Sequence, residues 1–484
     1  MKNSHDSRVF IVGGITYPPR LPFSASRAYP EAPYNEATPE SPNPVYGGLR
    51  SLFYRAGLDS THFDTPCWNP LGEFIRPGDK VLIKPNFVKH RYLPEVDIEC
   101  LVTHPSLIRA VLDYVVIALK GKGRITVGDA PVQSADFGSL VEENGTAEVV
   151  RHVSQSSGME VGLRDFRAAE REMLGNLPVG LKKREVERTA VSLDERSAHF
   201  DLKGMGRFCV TDYPPSTLQE HHNTKRHEYL IAGEILAADV VINIPKLKSH
   251  RKAGMTCCLK NAMGINVSKD WLPHHRRGSI LSGGDEYLYP SLFKALRSSL
   301  LALRETSSNL TAKRLWQGLA RMAKRMDRFN PGRRDPFTEG SWYGNDTLWR
   351  TILDINRVLF YADKDGVIRD EPQRRIIYVV DGVTIGEGEG PLNPTPRHLG
   401  VLMLGRNPVA VDACASGLIG FDPCKIPAID KAFSTGDPPL AGFGKEDIEA
   451  IFGEKTVRPY LDLRQMVLTR ARPPDSWAGH IELR

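Results

Sequence analysis

The chain has 484 residues, of which 41% are hydrophobic and 25% are charged. These values are those of an ordinary globular protein built from two or three domain-sized units, and they exclude wholesale disorder. The formal net charge of +6 is modest. Because the sequence has no basic motif interleaved with aromatic residues, we expect no nucleic-acid partner.

The seven cysteines include no CxxC pair. We therefore expect neither a disulfide scaffold nor an iron–sulfur cluster held by cysteines alone. The first apolar run, at residues 8–12, is too short for the core of a signal peptide. No window approaches the roughly 18 apolar residues that a transmembrane helix needs. The sequence predicts a cytoplasmic protein.

Residues 1–157 predict the first half of an α/β fold. A strand at Arg8–Val12 is followed by a proline-rich stretch, 17–44, which predicts a long surface loop. The next predicted elements are a helix at 47–56, a strand at 81–84, a helix through the apolar run 107–119 and a strand at 125–127. Strands and helices that alternate with glycine punctuation are typical of parallel βαβ units.

Residues 158–227 are charged and irregular, and they predict an insertion or an edge subdomain. The parallel pattern resumes in a second α/β segment, 228–290, and in a C-terminal segment and tail, 346–484. The predicted elements there are strands at 240–244, 376–380 and 401–404 and a helix at 409–419. The whole pattern predicts an α/β fold whose doubly wound, mostly parallel sheet carries an irregular insertion and a basic helical insertion.

The basic helical insertion is predicted for residues 291–345. Within 291–334, eleven Lys or Arg residues stand against Glu305 and Asp327, and leucines and methionines recur at helical spacing. One interpretation is a pair of helices with a solvated basic face. The other is a pair of helices that contacts an anionic surface, either a membrane or an acidic partner.

The segment 243–264 carries the densest set of reactive side chains. If the chain stays extended after Pro245, then Lys246, Lys248 and His250 project to one side. Ligands of open α/β sheets bind just beyond the carboxyl ends of the strands, where these residues fall. Lys260 and Asn261 follow on a predicted short helix. We expect this segment to hold a small anionic substrate, although a solvated basic strand would show the same pattern.

Further polar side chains follow the ends of other predicted parallel strands. Lys84 and Asn86 end one strand and Asp129 ends the next. The same topological rule brings them to the same edge of the sheet, where they would bind substrate.

An acidic, glycine-rich stretch follows the strand predicted at 376–380. It is neither GxGxxG nor a Walker loop, and its carboxylates would repel phosphate. Asp381, Glu387 and Glu389 are candidate ligands for a divalent metal, or the two glutamates are bases. A flexible glycine-rich turn with solvated acids is the alternative.

Two adjacent histidines, His274 and His275, form a further candidate. Neighbouring side chains point in different directions, so both are not expected to bind one metal. One of them would supply an acid, a base or a ligand, or the loop is purely structural.

Several motifs in this chain resemble those of the domain-of-unknown-function family numbered 362. The motifs are KPN at 84–86, THP at 103–105, INIPKLKSH at 242–250, LKNAMGI at 259–265, DGVTIGEGEGP at 381–391 and GRNPVAVDACASGLIGFDP at 405–423. Many relatives carry ferredoxin-like cluster motifs, and this chain has no such cysteines. The family name implies no reaction.

A second, local resemblance is to lactate racemase and its nickel-pincer relatives. His250-x-x-Ala-Gly-Met-Thr-x-x-x-Lys260 is similar to their H-x-x-A-G-F-S-G-G-x-K stretch, with Cys257 and Cys258 in place of the two glycines. The resemblance implies that His250 is an acid/base and that Lys260 carries a covalently attached nickel-pincer nucleotide.

We therefore expect an enzyme that acts on a small anionic substrate, with isomerase or racemase chemistry first. In it His250, Lys260 and Lys248 are catalytic, and Lys84, Asn86, Lys246, Asn261 and Asp129 bind substrate. One alternative is a metal-dependent hydrolase or transferase that uses Asp381, Glu387 and Glu389. Another is a non-catalytic module that binds an anionic surface.

Overall fold

The computed structural model describes residues 6–36, 41–90, 96–175, 177–200, 202–329 and 335–483. The strands are β1 (Arg8–Val12), β2 (Lys80–Pro85), β3 (Arg124–Asp129), β4 (Val161–Asp165), β5 (Ala169–Leu174), β6 (Leu177–Lys183), β7 (Arg188–Ser192), β8 (Phe208–Cys209), β9 (His222–Asn223), β10 (Arg226–Ala232), β11 (Val240–Ile244), β12 (Lys246–His250), β13 (Gly254–Thr256), β14 (His275–Arg276), β15 (Arg375–Glu389), β16 (Asn393–Gly405), β17 (Glu449–Phe452) and β18 (Lys455–Val457). The α-helices are α1 (Pro44–Arg55), α2 (Ile98–Leu101), α3 (Pro105–Leu119), α4 (Phe137–Glu143), α5 (Thr146–Ser157), α6 (Pro215–His221), α7 (Gly233–Leu236), α8 (Cys258–Asn261), α9 (Leu292–Thr306), α10 (Leu310–Asp327), α11 (Leu348–Tyr361), α12 (Pro408–Leu418), α13 (Pro427–Asp430) and α14 (Leu463–Met466).

The central sheet has the order β18-β17-β1-β16-β15-β11-β2-β3-β4, and β12 and β13 extend it beside β15. The strands from β15 to β4 run parallel, whereas β16 is antiparallel to both of its neighbours. The predicted α/β class and mostly parallel sheet are confirmed. The predicted strands at 8–12 and 240–244 have the bounds observed for β1 and β11.

Both faces of the sheet are covered, because alternate residues of one strand enter different cores. In β2, Val81 and Ile83 pack with helices α1, α3 and α5, whereas Leu82 packs on the side of α8, α11 and α12. This burial on two faces explains the continuous apolar runs that the sequence shows for parallel strands.

The order of the sheet creates a switch point between β2 and β11. From β2 the chain winds outward through β3 to β4, and it then returns to place β11 on the other side of β2. In open α/β sheets, ligands bind beyond the carboxyl ends of the two strands where the winding reverses. Lys84 and Asn243 are paired at those ends.

The acidic glycine-rich stretch after residue 380 is a strand and not a loop. Strand β15 continues to Glu389, with Gly386 opposite Pro396 on β16 and beside Lys248 on β12. A Cβ on Gly386 would lie 2.9 Å from the Cβ of Lys248, and one on Gly390 would lie 2.1 Å from the carbonyl of Ser249. The glycines therefore allow β12 to pack closely against β15, which is why they mimic a turn in the sequence.

The insertions add small sheets and a helical hairpin around this core. Strands β5 and β6 pair antiparallel, β10 lies between β7 and β9, and β8 pairs with β14. Helices α9 and α10 pack together as a hairpin. In the described ranges, no helix has both the length and the apolar character needed to cross a bilayer.

A buried carboxylate on α11 joins the residues after β7 to the core. Asp354 accepts hydrogen bonds from the Ala198 backbone (2.7 Å), the Tyr229 hydroxyl (2.8 Å) and the Ser197 hydroxyl, and it pairs with Arg357 (3.2 Å). All of its partners are themselves buried. Together with the contacts of Arg350 to the carbonyl of Ala198 (2.7 Å) and of Thr351 to His199 (2.9 Å), Asp354 attaches this segment to α11.

We predict that Asp354→Ala lowers the free energy of unfolding by about 3–5 kcal/mol, because the buried Arg357 would lose its carboxylate partner. Chemical denaturation measures this change. Asp365→Ala, at an exposed position, is the matched control and should change the stability by less than about 0.5 kcal/mol. Equal small effects of the two substitutions would contradict the assignment.

Candidate active site

A buried ion pair joins the carboxyl ends of β2 and β3. The Nζ atom of Lys84 lies 2.9 Å from Oδ1 of Asp129, and the two side chains are 0% and 4% exposed. Lys84 also donates to the carbonyl of Pro85 (3.1 Å), and Asp129 accepts the backbone N–H of Phe87 (2.7 Å). Burial lowers the pKa of Lys84, and the charge of Asp129 opposes that shift.

An amide chain continues from this pair across the switch point. Oδ1 of Asn261 accepts hydrogen bonds from Lys84 (3.2 Å) and from the side chain of Asn86 (3.0 Å). The amide nitrogen of Asn261 donates to Oδ1 of Asn243 on β11 (2.7 Å). Lys84, Asn86 and Asp129, which the sequence placed at one edge of the sheet, are thus in one network with Asn261 of α8.

The network leaves no room at Gly264, just beyond α8. A Cβ at this position would lie 1.8 Å from Oδ1 of Asp129 and 2.8 Å from Nζ of Lys84. The backbone at Gly264 therefore packs directly against the Lys84–Asp129 ion pair. This close approach is possible because glycine has no side chain.

A second buried ion pair occupies the start of β12. Nζ of Lys246 lies 2.7 Å from Oδ2 of Asp381, and both side chains are fully buried. The Tyr17 hydroxyl accepts from Lys246 and donates to Oδ1 of Asp381, each at 2.6 Å. The ring of Tyr17 stacks on His104 at a centroid distance of 3.8 Å. Lys246 thus has a carboxylate partner within the fold, and Asp381 is that partner.

Two residues further along β12, Lys248 has no such partner. It is fully buried and donates to the carbonyl of Leu101, and it forms no ion pair with any described residue. Burial lowers the pKa of Lys248 to about 7, and the charges of Lys246 and Lys260 contribute to the shift. Lys248 therefore exchanges its proton near neutral pH.

Lys260 on α8 is partly buried and is also uncompensated. Its ammonium group makes no hydrogen bond or ion pair with the part of the chain that the structure describes. Burial lowers the pKa of Lys260 to about 7, helped by the charges of Lys269, Lys84 and Lys252. The pKa of Lys269 is lowered to about 8, again chiefly by burial. The site is thus a cluster of cations, and Asp129, whose negative charge acts on both Lys260 and Lys269, is already paired with Lys84.

His250 and His274 offer complementary ring nitrogens. In His250, Nδ1 accepts the backbone N–H groups of Lys252 (3.1 Å) and Ala253 (3.2 Å), which leaves the ring proton on Nε2. In His274, Nδ1 donates to the carbonyl of Leu272 (2.7 Å), which leaves a lone pair on Nε2. Burial and neighbouring positive charges lower the pKa of both rings well below the usual value. Both rings are therefore neutral, and one can donate a proton where the other can accept one.

The candidate metal ligands Asp381, Glu387 and Glu389 are not brought together. Glu387 pairs with Arg397 and accepts the backbone N–H of residue 472, whereas Glu389 lies 3.4 Å from Arg251. Among the described residues, the group whose potential ligand atoms all lie within 4.8 Å of one another is Cys257, Cys258 and Asp412.

That buried group holds α8 in place. Asp412 on α12 accepts the backbone N–H groups of Cys258 (2.7 Å) and Leu259 (3.1 Å), which caps the N-terminus of α8. Burial raises the pKa of Asp412 to about 7 and raises the pKa of both thiols. The carboxylate thereby positions the helix that carries Lys260.

Sequence reasoning missed several residues of these sites. Tyr17 and His104 complete the Lys246–Asp381 pair, and Lys252 and Lys269 add to the cluster of cations. The Tyr17 region appeared only as a proline-rich loop. No periodic pattern in the sequence indicates Tyr17 or His104, because they are distant in sequence from Lys246 and Asp381 and contact them only in the folded chain.

Fold and site together define an α/β protein with a basic site at the switch point of its sheet. The chain belongs to the family described as "Domain of unknown function (DUF362)", which matches residues 81–190 and 203–417. The expected family membership is confirmed.

The chain is also similar to two particular proteins. The thylakoid-associated protein sll1697 of Synechocystis is 27% identical over 223 residues, which are 46% of this chain and 50% of the relative. The chain thus spans about half the length of the curated relative it matches. A crystal structure of a Thermotoga maritima protein aligns with 74% of this chain and 55% of its own at 11% identity, with a TM-score of 0.24. That value is too low to bear on the fold.

Two lysines on β12 should respond oppositely to the same substitution. We predict that Lys246→Met lowers the free energy of unfolding by about 3–5 kcal/mol, because Asp381 would remain buried and charged. Lys248→Met should instead raise it by about 1 kcal/mol or more at neutral pH, because it removes an uncompensated buried cation.

The pH dependence separates the two effects. The lowered pKa of Lys248, about 7, means that the unfolded chain holds this proton over a range where the folded chain does not. The destabilisation by Lys248 is thus complete below about pH 7 and disappears as the pH rises to about 10. Thermal unfolding of both variants across this range is the measurement, and a stabilising effect of Lys248→Met that grows with pH would contradict the site.

Proposed function

We propose that this chain is an enzyme that acts on a small anionic substrate at the basic site formed by Lys248, His250, Lys260 and His274. The observation that carries the proposal is the uncompensated charge of the site. Two buried carboxylates, Asp129 and Asp381, are already committed to other lysines. A bound carboxylate or phosphate would stabilise the remaining cations and raise their lowered pKa values.

Isomerase or racemase chemistry is the reaction class that we propose. The Nε2 lone pair of His274 would remove a proton from the carbon next to the anionic group of the substrate. The Nε2–H of His250 would donate a hydrogen bond to the oxygen on which negative charge develops. A protonated Lys248 or Lys260 would return a proton to the other face, so the substrate gains and loses one proton. A lysine with a pKa near neutrality is suited to this step.

The nickel-pincer nucleotide remains a second proposal, which rests on the resemblance to lactate racemase. Lys260 fits the anchoring role, since its amine has no partner among the described residues and its pKa of about 7 leaves much of it as a neutral nucleophile. His274 fits a ligand role through its free Nε2, whereas the Nε2 of His250 carries the proton. Such a group, when bound, would accept and return a hydride.

The acidic strand receives less support as a catalytic centre. Each of Asp381, Glu387 and Glu389 is engaged by a different cation, so a metal-dependent hydrolase or transferase would require all three to be released. For location, we retain the cytoplasm as a proposal. The name of the Synechocystis relative, a thylakoid-associated protein, supports the further proposal that this chain associates with a membrane.

We predict that the affinity for inorganic sulfate, whose own charge is constant in this range, falls at least about tenfold between about pH 6 and about pH 9, because Lys248 and Lys260 lose their charge as the pH passes their pKa values. Lys260→Met should reduce the pH dependence of the affinity and weaken binding at the lower pH. Titration calorimetry measures both effects. Lys455→Met, at an exposed position, is the control and should bind as the unaltered chain does. Affinity that is independent of pH and of Lys260 would argue against an anion site.

The mass of the intact purified chain, taken with an elemental scan for nickel, iron, zinc and manganese, tests the cofactor proposal separately. The second proposal predicts a mass excess that maps to Lys260 together with one nickel per chain. An unmodified chain without nickel would restrict the lactate racemase resemblance to the local sequence, and it would leave the lysine and histidine chemistry as the mechanism.

A further inference from the structure

The hairpin of α9 and α10 exposes a set of large apolar side chains. The exposed members are Leu292 (88%), Leu296 (50%) and Leu303 (45%) on α9, Leu310 (37%), Leu315 (55%), Met322 (52%) and Met326 (45%) on α10, and Phe329 (84%) just after it. From Leu315 through Met322 and Met326 to Phe329, the spacing of seven, four and three residues keeps these side chains on one side of α10 and of the turn that follows it. Scattered exposed leucines are ordinary in proteins, but an aligned row marks a contact surface.

A row of cations runs beside this apolar row. Arg314, Arg321, Arg325 and Arg328 each precede one of its α10-side members, so the two rows lie about 100° apart around the helix. These arginines and Lys324 are exposed, and none pairs with an acidic residue in the described ranges. The solvent-facing side of α10 is therefore half apolar and half basic.

The cations of α9 have a different role. Lys294 pairs with Asp335, Arg297 with Glu339 and Arg304 with Asp212, each at 2.5 Å. These pairs hold one side of the hairpin against the body of the protein. The apolar and basic rows of α10 consequently face outward.

We propose that this hairpin face docks on an anionic lipid bilayer. Leu315, Met322, Met326 and Phe329 would enter the boundary between headgroups and acyl chains, while the neighbouring arginines would contact the anionic headgroups. The charge argues against a second copy of the chain as the occupant. From residue 291 to residue 329, nine Lys or Arg residues stand against two acidic ones, and a two-fold contact would bring these like charges together. The proposal rests on the hairpin and is independent of the proposed enzyme activity.

Flotation with unilamellar vesicles tests the docking face on the full chain. We expect the protein to float with vesicles of equal parts phosphatidylcholine and phosphatidylglycerol at low salt, and to bind pure phosphatidylcholine at least about tenfold more weakly. Raising the salt concentration should weaken binding to the anionic vesicles, because it screens the arginines.

Paired substitutions assign the binding to the two rows. Arg321→Glu with Arg325→Glu, and separately Met322→Gln with Met326→Gln, should each reduce binding to anionic vesicles about tenfold or more. Lys455→Glu and Leu468→Ser, at exposed positions outside the hairpin, are the matched charge and apolar controls and should bind normally. Thermal unfolding checks that all variants remain folded, which is expected because every substituted side chain is exposed.

Three outcomes would overturn the proposal. The first is a failure of the unaltered chain to float with anionic vesicles at low salt. The second is an equal loss of binding in the control variants. The third is a dimer in solution that the Met322→Gln, Met326→Gln pair converts to a monomer, since this would make the face a contact between copies.

Discussion

The ion pair between Lys84 and Asp129 is the constraint on which the site depends. It joins β2 to β3 next to the switch point between β2 and β11, and through Asn261 it holds α8 against β11. The segment after α8 approaches so closely that Gly264 has no room for a side chain. Since α8 also carries Lys260, this buried pair and the Asp412 cap of α8 together position the proposed catalytic amine. A buried pair of this kind contributes position more than stability.

The distribution of carboxylates separates structural lysines from reactive ones. Lys246 and Lys248 are neighbours on one face of β12 and are equally buried, yet only the first has a carboxylate, Asp381. Because no described carboxylate pairs with Lys248 or Lys260, their positive charges lower the free energy of unfolding. The lowered pKa values of the two lysines reflect this destabilisation. A cluster of buried lysines with shifted pKa values, beside two neutral histidines, is characteristic of a functional site.

The same distinction describes the surface of the hairpin. The cations of α9 are paired with acids from the body of the protein, whereas Arg314, Arg321 and Arg325 of α10 face solvent beside an apolar row. Arg297 pairs with Glu339, whose backbone carbonyl accepts Lys252 of the basic site. The hairpin is thus linked to Lys252 through polar contacts of Glu339, and its outward face remains exposed.

The sequence by itself determined the α/β class, the bounds of β1 and β11 and the meeting of Lys84, Asn86 and Asp129 at one edge of the sheet, because local periodicity and the strand-end rule are sufficient for these features. Only the tertiary structure decided which carboxylate compensates which lysine, and that Tyr17 completes the Lys246–Asp381 pair. It also decided which ring nitrogens of His250 and His274 carry protons. The glycine-rich stretch is likewise seen only there to be a strand that pairs with β12. The physical reason is that each of these features depends on contacts between residues far apart in the chain, such as the 364 positions that separate Tyr17 from Asp381. Local periodicity and propensity contain no information about such pairs, and the charge state of a buried group depends on them entirely.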